Sequence, residues 1–235
     1  KTLLALSENK MPVFAIDGSD IQIPTNPTDT ESYIEGTNGH KGYNLLHINA
    51  LYDLNRHIYS DVTIQKARES NEHKALQEMV DCSKVKKALV IADRGYESFH
   101  SMAHIQEKGW FFLIRVKDGN HGIKQGLNLP KSECFDIDIS LKLTRKKTNE
   151  VKELLKYKNH YRILSSTQPF DYLPRKNSKS EPAKFYELHF RIVRFPISED
   201  TYETVVTNLD KEMYSSAELK KLYAAYGKRQ LLNRR

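Results

Sequence analysis

Cysteine is scarce in this sequence. The two cysteines, Cys82 and Cys134, lie far apart in the chain. They provide neither a disulfide framework nor the ligand spacing of a cysteine zinc site. A chain without disulfides is typical of a reducing compartment, and we therefore predict a cytoplasmic location.

Long hydrophobic runs are also missing. No run approaches the length of a membrane span, and the first residues carry no signal-peptide pattern. Neither a phosphate-binding loop nor a dinucleotide-binding fingerprint occurs, and Ser19 lacks the context of a nucleophile elbow. These absences argue against a membrane protein and against a serine hydrolase. Because Lys1 is not preceded by an initiator methionine, we expect the chain to begin inside a longer one.

Positive charge exceeds negative charge. The 235 residues include 37 Lys and Arg against 30 Asp and Glu, which gives a net charge of +7. This excess favours polyanionic partners, nucleic acid first, although a surface made basic only for solubility is an equally good interpretation. With 39% hydrophobic and 10% aromatic residues, the chain can bury a substantial core in one large domain or one domain with an insertion.

Residues 87–117 predict a strand, a helix and a second strand. The first strand is the apolar run 88–92, which is typical of a strand buried on both faces. A strand–helix–strand order implies a right-handed crossover between two parallel strands. Asp93 therefore lies at the carboxyl end of a central strand, where open α/β sheets bind their ligands.

A second apolar strand, residues 13–16, also ends on an aspartate, Asp17. A hairpin over residues 43–65 and a helix capped by Ser70 or Asn71 follow it. The order to residue 119 is then strand, two-stranded hairpin, helix, strand, helix, strand. This is the order of a ribonuclease-H-like mixed α/β sheet, in which the first strand lies beside the fourth. Since neighbouring strands are about 4.8 Å apart, this fold would place Asp17 beside Asp93.

Paired carboxylates at neighbouring strand ends suit hard divalent cations. We therefore predict that Asp17 and Asp93 are catalytic ligands of Mg²⁺ or Mn²⁺. Two such ions activate a water or a 3′-hydroxyl and stabilise the leaving oxygen of a phosphodiester. For a single aspartate, capping of the turn after its strand would be the better interpretation. Two aspartates in this fold order favour the metal site.

Several cationic side chains flank the predicted site. Arg94, Arg115 and Lys117 are candidates for neutralising DNA phosphates, although ordinary solvated charge explains each of them nearly as well. His100 and His104 lie four residues apart on the predicted helix, a spacing that can bind zinc. Without an accompanying acid or cysteine motif, we expect an exposed pair.

The character of the chain changes after Gly119. Alternating apolar and polar residues predict a β-rich insertion or extension over residues 120–207, without a helix of its own. A capping box, Ser215-x-x-Glu218, opens a last helix. We therefore divide the chain into the first part of a ribonuclease-H-like core at 1–119, the β-rich insertion at 120–207, and the incomplete final core helix at 208–235.

Five motifs follow one another in the order of a known family. They are Phe14-Ala15-Ile16-Asp17-Gly18-Ser19, Asn44-x-x-His47-x-Asn49-Ala50-Leu51-Tyr52-Asp53, Asn71-Glu72-x-Lys74-Ala75-Leu76, Ala92-Asp93-Arg94-Gly95-Tyr96-Glu97 and Thr207-Asn208-Leu209. Together with a last helix through Tyr223, they resemble the DDE transposases of bacterial insertion sequences, in particular the insertion sequence four group. The resemblance covers nearly the whole chain.

This resemblance implies a ribonuclease-H-like catalytic domain with a β-rich insertion before its last catalytic helix. It implies that Asp17 and Asp93 are the first two metal-binding acids and that Tyr223 contacts DNA. The implied reaction is cleavage at transposon ends to a 3′-hydroxyl, followed by strand transfer into double-stranded target DNA. The resemblance also implies a bacterial, nucleoid-associated protein that forms a homodimer in its synaptic complex and has no membrane partner.

The last helix departs from the family pattern Tyr-x2-Arg-x3-Glu-x6-Lys, whose Glu is the third metal ligand. With Tyr223 on the tyrosine, Tyr226 stands at the arginine and Gln230 at the glutamate. When the alignment is shifted by one residue, Arg229 stands at the glutamate position instead. No Asp or Glu follows Glu218 in the sequence. We therefore expect a C-terminal truncation or frame change, a missing N-terminal end-binding region, and impaired cleavage.

Three functions stay open at this point. The first is a transposase catalytic domain that is impaired. The second is a non-catalytic DNA-binding remnant that competes for transposon ends or forms mixed dimers with intact transposase. The third is a metal-dependent nuclease unrelated to transposition, for which cleavage without end preference or strand transfer would be the sign.

Overall fold

A computed structural model describes residues 11–117, 119, 122–174 and 185–233, with 228–233 described by their backbone alone. The described strands are β1 (Val13–Ile23), β2 (Tyr33–Ile34), β3 (Tyr43–Asp53), β4 (Ile58–Lys66), β5 (Leu89–Ala92), β6 (Phe111–Arg115), β7 (Phe135–Thr144), β8 (Tyr161–Ile163), β9 (Tyr186–Pro196) and β10 (Tyr202–Thr207). The described α-helices are α1 (Glu72–Cys82), α2 (Phe99–Glu107), α3 (Asn149–Leu154) and α4 (Ser216–Asn233). None of these helices is long and apolar enough to cross a bilayer.

All of these strands join one mixed sheet. Its order is β2-β3-β1-β5-β6-β10-β9-β7-β8, and β4 pairs with β3. The parallel pairing of β5 with β6 confirms the two parallel strands predicted for residues 87–117. On its other side, β5 pairs in parallel with β1. β3 and β4 form the predicted antiparallel hairpin. The antiparallel pair of β6 with β10 joins the strands of residues 120–207 to the same sheet.

Two predicted helix starts are confirmed by their caps. At the start of α1, the Asn71 side chain accepts a hydrogen bond from the Lys74 N–H at 2.9 Å. At the start of α4, the Ser215 N–H donates to Glu218 Oε2 at 2.8 Å, and the Glu218 N–H donates to Ser215 Oγ at 3.4 Å. These bonds satisfy N–H groups that have no partner inside the helix.

Two expectations about the elements are wrong. β1 does not end at Asp17 but continues to Ile23, because the polar residues after Asp17 stay paired with β3 through their backbone. Residues 120–207 do contain a helix, α3, whose first turn is capped by Thr148 Oγ1 accepting from the Val151 N–H. A helix of six residues is too short to give a clear helical period in the sequence.

Each face of the sheet buries an apolar cluster. On one face, Phe14 packs with Leu76 of α1 and with residues of α2. On the other face, Ala15 and Ile91 pack with Leu222 of α4. Because side chains alternate between the two faces along a strand, odd-numbered residues at the start of β1 face α4.

Candidate metal and nucleic-acid site

Asp17 of β1 and Asp93, the residue directly after β5, occupy equivalent positions relative to these two parallel strands. The last residue pair of these strands joins Ala15 to Ile91, and each aspartate lies two residues further along. Ala15 and Ile91 face α4, and side chains two residues apart on a strand point to the same face. The backbone of Asp93 stays extended, with φ −79° and ψ 171°. Both carboxylates therefore lie side by side on the face that α4 covers.

One oxygen of each carboxylate is held by the backbone that follows it. Asp93 Oδ1 accepts a hydrogen bond from the Arg94 N–H at 2.7 Å, and Asp17 Oδ1 accepts one from the Gly18 N–H at 3.1 Å. Asp93 thereby caps the 3₁₀ turn Arg94–Tyr96, which is the structural role that its sequence also allows. These bonds orient the carboxylates without neutralising their charge.

Arg115 on β6 lies next to Asp93, and Asp17, Asp93, Arg115 and Glu203 together form a row of charged side chains across the sheet. Its Nη1 lies 3.8 Å from Asp93 Oδ1, and its Nε pairs with the buried carboxylate of Glu203 on β10. Burial alone would lower the pKa of Arg115, but the charge of Glu203 keeps that pKa above its ordinary value. The guanidinium therefore stays charged and links the two acids.

Glu203 was missed by the sequence analysis. It lies two residues before Val205, which pairs with Arg115 and belongs to the cluster beneath α4. A charged residue in phase with the apolar residues of a strand is the signal that could have identified it. Glu203 is only 5% exposed, so its charge is compensated within the protein.

Two tyrosines of α4 lie over this row. Tyr226 is 1% exposed and donates its hydroxyl hydrogen to the carbonyl oxygen of Ile16 at 3.1 Å. Burial raises the pKa of Tyr226, and the negative charge of Asp17 raises it further. Burial also raises the pKa of Tyr223, with a second contribution from Asp93. The structure thus brings the predicted Tyr223, Asp93 and Arg115 together.

The other two predicted cations are on the surface. Arg94 directly follows Asp93 and is exposed. Lys117 is also exposed, and its backbone N–H donates to Glu97 Oε2 at 2.8 Å. The pKa of His73 is lowered by burial and, to a smaller extent, by the charge of Lys117.

The sequence analysis also missed a group formed by Glu72, His47 and Asp20, which lies on the opposite face of the sheet from the two aspartates. A Cβ atom added to Gly18 would overlap Glu72 Oε1, and one added to Gly95 would lie 3.5 Å from Glu72 Oε2. His47 Nε2 is 3.6 Å from Glu72 Oε1, while His47 Nδ1 is 2.7 Å from Asp20 Oδ1. The glycine after Asp17 therefore gives the Glu72 carboxylate room beside the strand.

A third ligand does not join Asp17 and Asp93 among the described side chains. In that part of the chain, neither a carboxylate nor a histidine completes a set of three ligand atoms within 4.8 Å of one another at these two residues. Gln230 lies within α4, but its side chain is outside the described residues. The described charged groups here are thus two carboxylates with a guanidinium beside one of them.

Three comparisons relate the whole chain to known proteins. A family model described as a transposase DDE domain matches residues 8–225. A search of curated proteins found no match. One similar solved structure is a cryo-EM structure of a piggyBac transposase synaptic complex with hairpin DNA, at 10% identity and a TM-score of 0.45. That similarity covers 94% of this chain, which spans 40% of the length of the other chain.

Proposed function

Because this chain belongs to the transposase DDE domain family, matched over residues 8–225, we propose that it is the catalytic domain of a DNA transposase. The single observation that carries the proposal is that Asp17 and Asp93 each lie two residues beyond the last pair of the adjacent parallel strands β1 and β5. We further propose membership of the insertion sequence four group and a ribonuclease-H-like core at 1–119. In this proposal, residues 120–207 are its β-rich insertion and residues 208–235 contain its final helix.

The chemistry of the site fits a hard divalent cation. Two carboxylates on one face offer the oxygen ligands that Mg²⁺ and Mn²⁺ prefer, and we propose that Asp17 and Asp93 hold the ion. When bound, such an ion supplies stabilisation of the charge that develops on a phosphodiester during cleavage. The backbone bonds to Asp17 and Asp93 fix one oxygen of each, so that less side-chain freedom is lost on binding.

We propose that double-stranded DNA, at transposon ends and target, binds over this face, with the chain acting as a homodimer. The exposed Arg94 and Lys117 are the proposed phosphate contacts, together with Tyr223 at the edge of the row. Arg115 lies between Asp93 and Glu203 and closer to Glu203, and we propose that it also positions Asp93. Its remaining exposed surface leaves a phosphate contact available.

Cleavage by this chain is proposed to be impaired. The family's third acid falls on Gln230, and an amide lacks the charge that holds a second divalent ion close to two other carboxylates. The nearby acid Glu203 pairs with Arg115, which reduces the negative charge that it could offer to a cation.

The test uses the purified chain and labelled duplex DNA that contains the sequences flanking its own gene. We expect salt-dependent binding with little or no nicking in Mg²⁺, and increased nicking by Gln230→Glu that Asp93→Asn abolishes. Strong nicking by the unchanged chain that Asp17→Asn and Asp93→Asn leave intact would overturn the site. Strong nicking that both variants abolish would overturn only the impairment.

A non-catalytic DNA-binding remnant is the second candidate. It is favoured by an observation that also supports impaired cleavage: among the described residues, no third ligand lies near Asp17 and Asp93. DNA binding that persists unchanged in Asp17→Ala and Asp93→Ala, without cleavage in Gln230→Glu, would support it. Cleavage without end preference or strand transfer would instead indicate a metal-dependent nuclease.

A further inference from the structure

A separate cluster of metal-binding side chains lies on the opposite face of the sheet from Asp17 and Asp93. The histidine cluster consists of His100 and His104 of α2 and Asp171 of the segment after β8. The expectation of an exposed histidine pair is wrong, since His100 is 8% and His104 6% exposed. Four-residue spacing puts both rings on one side of α2, and no pattern near residue 171 indicates that Asp171 packs there.

The hydrogen bonds of the histidine cluster place two of its ring nitrogens. Asp81 accepts from His104 Nδ1 at 2.8 Å, so this nitrogen carries a hydrogen. The Asp171 backbone N–H donates to the lone pair of His100 Nε2 at 3.2 Å, a hydrogen bond that a metal ion would replace. His104 Nε2 lies only 3.0 Å from His100 Nε2, and in the neutral form of His104 it also presents a lone pair.

A carboxylate oxygen completes this convergence of acceptors. Asp171 Oδ2 lies 3.3 Å from His100 Nε2 and 3.4 Å from His104 Nε2. Three acceptor atoms this close repel one another unless a cation lies among them. A single proton can bridge only two of these three acceptor atoms, whereas a tetrahedral metal ion can bind all three at once.

The separations match a tetrahedral zinc site. Zinc–ligand bonds of about 2.0–2.2 Å at tetrahedral angles place neighbouring ligand atoms about 3.3 Å apart. The observed separations of 3.0, 3.3 and 3.4 Å are close to this value. Asp81 adds the carboxylate that commonly fixes the orientation of a metal-bound histidine through its other ring nitrogen.

We propose that His100, His104 and Asp171 form a binding site for a borderline-soft divalent cation, of which Zn²⁺ is the natural example. Two imidazoles favour zinc-like ions over Mg²⁺, which separates this site from the one proposed at Asp17. Asp171 is 61% exposed and, with His100, lines an open cleft, which provides a path for the ion. The proposal does not depend on the chain being a transposase.

The bound ion would join α2 to the segment that carries Asp171. In that segment, the ring of Phe170 lies 5.7 Å from the His100 ring, and the ring of Tyr172 lies 5.1 Å from the His104 ring. Phe170 and Tyr172 also pack against Tyr186 of β9. The ion would therefore hold residues 170–172 in place between α2 and the sheet, as a structural metal ion does.

The test is metal titration of the purified full chain after treatment with a chelator. We expect one saturable Co²⁺ site whose visible absorption shows histidine ligation, displacement of Co²⁺ by Zn²⁺, and a higher melting temperature with Zn²⁺. Asp171→Asn changes an exposed side chain and should lower the affinity at least about tenfold, and so should Asp81→Asn. The matched control His40→Gln, at an exposed histidine, should bind as the unchanged chain does.

Two outcomes would overturn the proposal. One is the absence of a saturable Co²⁺ signal, with a histidine of the cluster found protonated by NMR near neutral pH. The other is a signal that Asp171→Asn and His104→Gln leave as strong as His40→Gln does. A signal lost in Asp93→Asn but kept in Asp171→Asn would assign the bound ion to the Asp17 site instead. If His104→Gln does not fold, the exposed Asp171→Asn variant decides the result.

Discussion

The hydroxyl group of Tyr226 on α4 donates a hydrogen bond to the backbone carbonyl oxygen of Ile16, one residue before Asp17. This contact joins the last helix to the strand that carries the first proposed metal ligand. We expect Tyr226→Phe to lower the free energy of unfolding by about 0.5–1.5 kcal/mol, since it removes one buried hydrogen bond with little change in volume. Urea denaturation measures this difference. Tyr157→Phe, at a tyrosine that is 64% exposed, is the control and should change stability by less than about 0.5 kcal/mol.

The pair of Arg115 with Glu203 predicts an asymmetric response to substitution. Arg115→Met removes the cation beside the buried side chain of Glu203, and we expect a loss of about 1–3 kcal/mol in the free energy of unfolding. Replacing both residues with methionine should recover most of the loss, because no buried charge then remains. Arg94→Met, at an exposed arginine, should have little effect. Equal losses in the Arg115 variant and the double variant would contradict this account.

Metal affinity at the Asp17 site can be measured without cleavage. We expect Mn²⁺ binding followed by electron paramagnetic resonance to weaken at least about tenfold in Asp17→Asn and in Asp93→Asn, since each loses a charged ligand. Gln230→Glu should strengthen it, because it restores a carboxylate where the family has one. Gln125→Glu, at an exposed glutamine, controls for the added charge. Tighter binding in both glutamate variants would show that overall charge is responsible.

Salt dependence tests the proposed phosphate contacts. Each lysine or arginine that contacts a DNA phosphate adds about 0.9 to the slope of the logarithm of the binding constant against the logarithm of the salt concentration. We expect Arg94→Ala and Lys117→Ala each to reduce this slope by about 1, measured by fluorescence anisotropy on duplex DNA. Lys152→Ala, at an exposed lysine of α3, should leave the slope unchanged. The same slope in all four proteins would remove both residues from the interface.

The capping box of α4 predicts a pH dependence of stability. The pKa of Glu218 is lowered from 4.5, first because its carboxylate accepts a hydrogen bond from the Ser215 backbone N–H. A group with a depressed folded pKa stabilises the protein above its unfolded pKa and loses that effect as the pH falls through the folded value. Glu218→Gln keeps a capping side chain that does not titrate. Its melting temperature should be lower than that of the unchanged chain at neutral pH, and the difference should shrink below pH 4.5.

Local patterns in the sequence identified the elements that their own residues determine. The apolar run that became β5, the terminal Asp93 and the capping box at Ser215 are encoded within a few residues each. The placement of Asp93 beside Asp17 needed one further step, the element order that makes their strands neighbours. The assignment of a ribonuclease-H-like fold and the domain boundaries stay predictions.

The features that were missed depend on residues far apart in the chain. Glu203 reaches the row of charges only because β10 pairs with β6, almost ninety residues earlier in the sequence. His100 and His104 are buried because residues 170–172 fold over them, and no pattern near α2 reports this. β1 extends past Asp17 because β3 pairs with it, although the residues involved are mostly polar.

The position of β10 has a consequence for any shortened form of the protein. This strand fills the place between β6 and β9, and thus holds the early and late halves of the sheet together. A polypeptide cut before Tyr202 would leave the buried, apolar β6 as an open sheet edge, which is a template for pairing with other molecules. Such fragments should aggregate, so studies of the aspartate-bearing half alone call for a version of the protein that retains residues 202–207.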